Sequence, residues 1–278
     1  MEKIKEALAK AKLINNRTEP KPAVKPQVIN TKNIDTLDVN QLDINQIEYN
    51  STKVVPLNPG HLEKNRVITY NSNDQTNVVF DLLRTQVLRI MEENNWRTIA
   101  VVSPTPESGK TFTAINLAIS IAKQPTKTAM LVDFDFRSPR VATYLGLKVD
   151  KSLNDYLDGN EIIENIIVNP GISKLVVLPT LRSIKKPAEL IGSAKVRGLI
   201  NELSSKYKSR IVIFDLPPVL NADDAMVMMP MVDCVLLVVA NGMSSKTEIE
   251  DTLHHIPKEK LLGIVMNKAE IEQKAYYY

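Results

Sequence analysis

Gly109-Lys110-Thr111 is the part of this sequence best suited to receive a phosphate. The triplet closes the segment Ser103-Pro-Thr-Pro-Glu-Ser-Gly-Lys-Thr111, which lies between an apolar run at 98–102 and an alanine-rich helical pattern at 112–122. A strand, a loop and a helix in that order aim backbone N–H groups and the positive end of a helix dipole at one spot. In that setting the Lys110 ammonium reaches the β- and γ-phosphates and the Thr111 hydroxyl ligates magnesium. Two further apolar runs end in carboxylates. Residues 128–137 finish in Asp133, Asp135 and Arg137, with the two carboxylates on one side of the strand end because they are two residues apart. Residues 210–218 finish in Asp215 and two prolines. A carboxylate at the carboxyl end of a parallel strand, beside a phosphate loop, holds magnesium directly or through water.

Each piece also has an ordinary reading. Gly109-Lys110-Thr111 can cap a surface helix, and an Asp after a strand commonly caps or turns the chain. Capping alone does not explain their order at three strand ends. The standard phosphate loop reads G-x-x-x-x-G-K-[ST], and its first glycine position is Pro104 here.

The scaffold that must position these groups reads as alternating strand and helix. Further strands are expected at 174–178, 210–214, 234–239 and 262–266, with helices near 112–122, 152–157, 194–206 and 246–255. Near-continuous apolar strands between helices predict an α/β fold like that of P-loop NTPases, a mostly parallel twisted sheet with helices on both faces. The ligand then sits outside the carboxyl ends of the strands. Asn267 ends the last strand, and Asp223 and Asp224, after the Pro-Pro turn, are expected to cap the next helix.

A chain of 278 residues holds one α/β domain of about 200 residues plus an extension. Its 44% hydrophobic content is ordinary for a soluble globular protein. No apolar run approaches the roughly 18 residues of a membrane span, and the start lacks the hydrophobic core of a signal peptide, so a cytoplasmic location is expected. The single cysteine, Cys234, sits in an apolar strand, which excludes an internal disulfide and predicts a buried inert thiol. A net charge of +3 without a basic, aromatic-interleaved patch gives no reason to expect nucleic acid as a partner.

Residues 1–74 read as a largely disordered N-terminal extension, 75–269 as the nucleotide-binding domain and 270–278 as a tail. Ile4, Leu8, Ala11 and Ile14 recur at helical spacing among lysines, giving either a docking or membrane-surface helix or a marginal helix without a partner. Prolines in 18–26 mark a linker. The tandem pentads Leu37-Asp-Val-Asn-Gln41 and Leu42-Asp-Ile-Asn-Gln46 are too few for a solenoid and fit a spacer or an arm that orders against a partner. Folding is expected to begin near Asn77, with Val79, Leu82, Leu83, Gln86 and Val87 on one apolar-leaning face of a helix over 78–91.

The ordered set Ser103 to Thr111, Val132-Asp-Phe-Asp-Phe-Arg137 and Ile213-Phe-Asp-Leu-Pro-Pro218 resembles the Walker A, Walker A′ and Walker B motifs of bacterial tyrosine kinases. These are P-loop autokinases of capsule and exopolysaccharide biosynthesis. Leu83-Arg84-Thr85-Gln86, the run Val232 to Val239, Gly263-Ile-Val-Met-Asn-Lys268 and the ending Tyr276-Tyr277-Tyr278 resemble the same family over about residues 75–278. The nearest likeness is to the branch in exopolysaccharide loci that also carry an exosortase-type protein-sorting system. The resemblance implies ATP and Mg2+, with Pro106, Glu107, Ser108, Gly109, Lys110, Thr111 and Phe112 around the nucleotide and Asn267 at the adenine or serving only as a turn residue. It implies Asp133 as base for a tyrosine hydroxyl, with Asp135 and Asp215 organising magnesium alongside Thr111. Arg137 would steady phosphate or the neighbouring carboxylates, or form a surface ion pair. Tyr276, Tyr277 and Tyr278 would be phosphoacceptors, against a reading as a frayed end or docking tag. The implied partners are a membrane-embedded polysaccharide co-polymerase (a chain-length determinant), a tyrosine phosphatase and further copies of the chain, with recruitment to the inner face of the cell membrane.

Departures from the family pattern matter too. The family loop P-G-E-G-K is here Pro106-Glu107-Ser108-Gly109-Lys110, so Glu107 stands where glycine lets backbone approach phosphate, and its charge repels unless it turns outward. The oligomerisation pattern E-x-x-R-x-x-R falls on Val78, Asp81 and Arg84, of which only the last matches. Two other functions therefore stay open. A partition or septum-site positioning ATPase shares the motifs but carries a signature lysine where this chain has Thr105. A non-catalytic nucleotide-binding regulator fits Glu107 but leaves Lys110, Thr111, Asp133, Asp135 and Asp215 without a purpose. An extended tail of nine residues reaches about 30 Å. That length predicts transfer to a neighbouring subunit, since the last strand must stay paired in its own sheet.

Overall fold

The apolar runs assemble into one eight-stranded sheet in the computed structural model, which describes residues 52–70 and 77–269. In chain order the strands are β1 (Lys53–Val54), β2 (Thr98–Val102), β3 (Thr128–Asp133), β4 (Val168–Asn169), β5 (Leu175–Leu178), β6 (Arg210–Asp215), β7 (Cys234–Ala240) and β8 (Leu261–Asn267). They lie side by side as β1-β4-β5-β3-β6-β2-β7-β8. Every pairing is parallel except β4 with β5.

Strands β2, β3 and β7 are buried at every residue, as parallel strands covered on both faces must be. Their alternate residues feed two cores. Ile99, Val101, Leu131 and Ile213 face a layer that includes the helices Asn77–Glu93 and Lys110–Ala122. Ala100, Val102, Met130, Val132 and Phe214 face the other, which holds Val196, Leu199, Ile200 and Leu203 of the helix Ala194–Ser205. Helices on both faces of a mostly parallel sheet are thus what the chain builds. The phosphate-loop helix is buried almost all round, and Ala114, Ala118 and Ala122, four residues apart, give it a smooth face close to the strands.

Among the described residues, packing begins at Lys53 rather than near Asn77. Val55, Leu57, Leu62 and Val67 join the first core, and β1 adds an edge to the sheet beside β4. Asn58 caps the helix Pro59–Lys64, accepting from the His61 N–H at 3.1 Å with proline at the first turn. A buried polar clasp fixes the segment. Asn116, in the phosphate-loop helix, accepts from the Thr69 N–H at 3.1 Å and its hydroxyl at 2.9 Å, and donates to the Phe112 carbonyl at 3.0 Å. The amphipathic pattern at 1–14, the proline linker, the pentads and the tyrosine tail lie outside the described residues. Among the described residues, no helix is long and apolar enough to cross a membrane.

Candidate active site

β2, β3 and β6 stand next to one another in the sheet, and each ends at the same rim. From β2 the chain enters the phosphate loop, whose base is tied to the segment after β6: the Val219 N–H donates to the Ser103 carbonyl at 2.9 Å and the Leu220 N–H to the Pro104 carbonyl at 3.1 Å. Ser103 and Ser108 hydroxyls both donate to the Thr105 carbonyl, at 2.8 and 3.0 Å. Gly109 precedes the helix at φ +93°, and a Cβ there would stand 2.0 Å from Asn267 Nδ2. Only glycine fits. Glu107 takes φ +63°, a left-handed conformation that glycine would adopt without strain, and its side chain is exposed.

The charged centre lies behind this loop. The Lys110 ammonium donates to Asp135 Oδ2 at 2.7 Å and lies 3.5 Å from Asp215 Oδ1. The Thr111 hydroxyl donates to Asp215 Oδ2 at 2.6 Å. Asp133 pairs in register with Asp215 across β3 and β6 and is wholly buried. Its Oδ2 accepts the N–H groups of Arg140 at 3.0 Å and Val141 at 2.9 Å, and its Oδ1 accepts that of Asp135 at 3.2 Å. One ammonium thus faces three buried carboxylates.

The proton affinities follow from that count. Burial is the largest influence on Asp133 and, with the Asp215 charge added, pushes its carboxyl well above the ordinary carboxylate value despite the Val141 amide. Burial likewise raises Asp215, against the opposing pull of Lys110 and Thr111. For Lys110 burial alone would lower the pKa, but the Asp215 and Asp135 charges outweigh it and raise it. Burial also raises the Cys234 thiol, which fits an inert sulfur in β7.

The donor set suits magnesium bound with a nucleotide. Asp215 Oδ1 is buried and accepts no hydrogen bond, with the Lys110 ammonium 3.5 Å away as its ion-pair partner. No group of three or more His, Cys, Asp or Glu fit for a metal forms among the described residues.

Other residues singled out from the sequence occupy different places. The Asn267 amide donates to the Ser108 carbonyl at 2.9 Å, so it braces the phosphate loop. Phe112 turns its ring edge to Phe80, 5.6 Å between centroids, and packs against the helix Asn77–Glu93. Pro106 is exposed at the loop tip. Arg137 makes a bidentate pair with Asp224, Nε to Oδ2 at 2.5 Å and Nη2 to Oδ1 at 3.1 Å. Of the aspartates expected to cap the next helix, Asp223 does stand at the N-cap position of the helix Asp224–Met228 but makes no side-chain cap, and Asp224, in the first turn, is engaged by Arg137. Arg84 donates to Asp81 at 2.7 Å and to Ser120 at 3.1 Å, within its own chain. β8 pairs with β7 to its last residue and still ends against the chain's own phosphate loop, so strand pairing does not hold the root of the tail away from the site.

Three comparisons place this geometry among known proteins. A family model described as an AAA domain matches residues 96–264. The tyrosine-protein kinase YwqD of Bacillus subtilis (strain 168) is 29% identical over 197 residues, 70% of this chain and 82% of that protein. The tyrosine-protein kinase ptk of Acinetobacter johnsonii is 27% identical over 208 residues, 74% of this chain but 28% of that one, so the chain spans under a third of that relative. Among solved structures, the kinase domain of the Escherichia coli tyrosine kinase ETK superposes with a TM-score of 0.64 at 26% identity, covering 74% of this chain and 81% of that one.

Proposed function

We propose that this chain, which belongs to the AAA-domain family, is an ATP-dependent protein-tyrosine autokinase that regulates the assembly and export of exopolysaccharide or capsule chains. The observation that carries the reading is the buried meeting of Lys110, Thr111, Asp133, Asp135 and Asp215 behind a helix-entrance phosphate loop. The tyrosine-protein kinases among its relatives support the choice of acceptor.

In this reading Lys110 exchanges Asp135 for the β- and γ-phosphates, and the phosphate-loop amides take up charge that grows in transit. Thr111 and Asp215, with Asp135 once its lysine has left, would hold magnesium, which would supply positive charge to offset that of the phosphates. The acceptor tyrosine oxygen bonds to the γ-phosphorus as the bond to ADP breaks, and its proton passes to Asp133, whose carboxyl is held above the ordinary carboxylate value by burial and the Asp215 charge. Tyr276, Tyr277 and Tyr278 are the proposed acceptors. A membrane-embedded co-polymerase is the proposed activator, recruiting the chain to the inner face of the membrane, with a tyrosine phosphatase as the opposing enzyme.

The test is incubation of the purified chain with ATP and magnesium, followed by mapping of phosphotyrosine by mass spectrometry. Modification at 276–278 supports the kinase. Hydrolysis without protein labelling points instead to a positioning ATPase, and nucleotide binding without either points to a silent regulator.

A further inference from the structure

We infer that Asp224 is a positioning residue of the site, holding Arg137 so that the loop after β3 presents Asp135 correctly to Lys110. This rests on the kinase reading only for its choice of assay.

The burial is lopsided. The Asp224 side chain is 1% exposed and that of Arg137 is 44% exposed. A carboxylate so enclosed needs its cation, whereas the guanidinium does not need burial to be stable. Both guanidinium contacts, Nε and Nη2, are committed to the two oxygens of Asp224, a fork that fixes direction as well as distance. Turning Arg137 toward a phosphate would strand Asp224. The sequence alone left Arg137 between steadying phosphate, steadying the neighbouring carboxylates and forming a surface pair; its observed partner is a buried carboxylate at the start of the helix that follows β6.

The pair closes a ring of contacts around the site. Asp135 joins the loop after β3 to Lys110, and its other oxygen accepts the Ser138 N–H at 3.0 Å, so that loop turns tightly about the carboxylate. The segment after β6 is joined to the base of the phosphate loop through Val219 and Leu220. Arg137, between Asp135 and Ser138, then locks the loop after β3 to the start of the helix Asp224–Met228, which continues the segment after β6. Remove that lock and the loop carrying Asp135 loses its tie to the helix that follows β6. Misplacement of a catalytic group by about 1 Å costs on the order of 10²-fold in rate.

The experiment compares Asp224→Asn, Arg137→Gln and the double variant, with phosphoryl transfer, ATP affinity and melting temperature measured for each. The neutral double variant leaves no uncompensated charge in the interior, so it guards against a result that is only misfolding. Expected is a fall in kcat of about 10-fold to 10²-fold in each single variant with ATP affinity within about twofold of wild type. The double variant should be no slower than the slower single, because both changes break one link. A wild-type rate in Asp224→Asn beside a slow Arg137→Gln would overturn the proposal and return Arg137 to direct phosphate contact. So would parallel loss of rate and ATP binding in a double variant that melts near wild type. If wild type labels no tyrosine, the kinase reading fails, and the same comparisons are then made on ATP hydrolysis or, failing that, on the magnesium concentration needed for half-maximal ATP binding, where equal values in all four proteins overturn the pair.

Discussion

Lys110 and Asp135 form a buried ion pair, 2.7 Å from Nζ to Oδ2, inside a loop otherwise arranged to receive an anion. In the proposed function the cation that would receive phosphate is thereby held by the carboxylate that would receive metal. Nucleotide with magnesium would separate the two and give each its other partner, so binding of the ion and of the phosphates should be mutually dependent.

The same burial makes Lys110 structural as well as functional, which the sequence alone did not suggest. Removing one member of a buried pair costs about 3–5 kcal/mol. Lys110→Met should therefore abolish tyrosine phosphorylation and lower the melting temperature in EDTA, by about 6–12 °C for about 3 kcal/mol. Millimolar magnesium should recover part of that loss by replacing the ammonium among the carboxylates. A variant that melts like wild type in EDTA would mean that the carboxylates relieve themselves by protonation.

Asp133 and Asp215 bind protons more tightly folded than unfolded, since burial raises both. In the pH range between their raised values and the ordinary carboxylate value of about 3.9 the folded state carries more protons, so their contribution to stability grows as pH falls. Melting curves in EDTA across that range should show wild type gaining on Asp133→Asn as the solution is acidified. A constant difference would place the Asp133 carboxyl at an ordinary pKa. At neutral pH the same variant should lose about 10²–10⁴-fold in transfer if Asp133 is the base.

Glu107→Gly replaces a side chain at φ +63° in an exposed loop. Relief of a left-handed residue, about 1 kcal/mol, is largely cancelled by the entropy of the new glycine, so the melting temperature should stay within a few degrees. Removal of a carboxylate near incoming phosphates should tighten ATP binding, most visibly at low ionic strength. Calorimetric titration at two salt concentrations checks this, and weaker binding at both would show that Glu107 supports the loop.

Asn267→Ala removes the brace on the Ser108 carbonyl. A hydrogen bond of this kind contributes about 0.5–1.5 kcal/mol, so ATP affinity should fall by roughly 3- to 10-fold with little change in melting temperature. Comparing ATP with inorganic triphosphate separates loop bracing, which weakens both ligands, from adenine contact, which weakens only ATP.

The central strands and the three acidic or phosphate-binding loop segments are legible in the sequence because each apolar run is long and ends in residues with few structural uses. The segment 53–70 is not, since its apolar residues are broken by Pro56 and Pro59 and its anchor is Asn116, a polar group inside an alanine-rich helix. Two-residue strands such as β4 carry no periodicity to detect. Asp224 escapes for another reason: its partner lies 87 residues away, and beside a proline turn an aspartate looks like a cap. The amides of Arg140 and Val141 on Asp133 are likewise invisible until the chain has turned back on the end of β3.

Because Asn267 touches the phosphate loop, the tail is leashed at the door of its own site. Eight residues lie between Asn267 and Tyr276, a leash of about 30 Å at full stretch. A short linker gives an effective concentration in the millimolar range. Labelling between subunits must outcompete that intramolecular supply, and at micromolar protein it can do so only within an assembly that brings another chain's tail equally close. A labelling rate that rises with dilute protein concentration would therefore report an obstruction between each tail and its own site, and a rate that does not would make every chain its own first substrate.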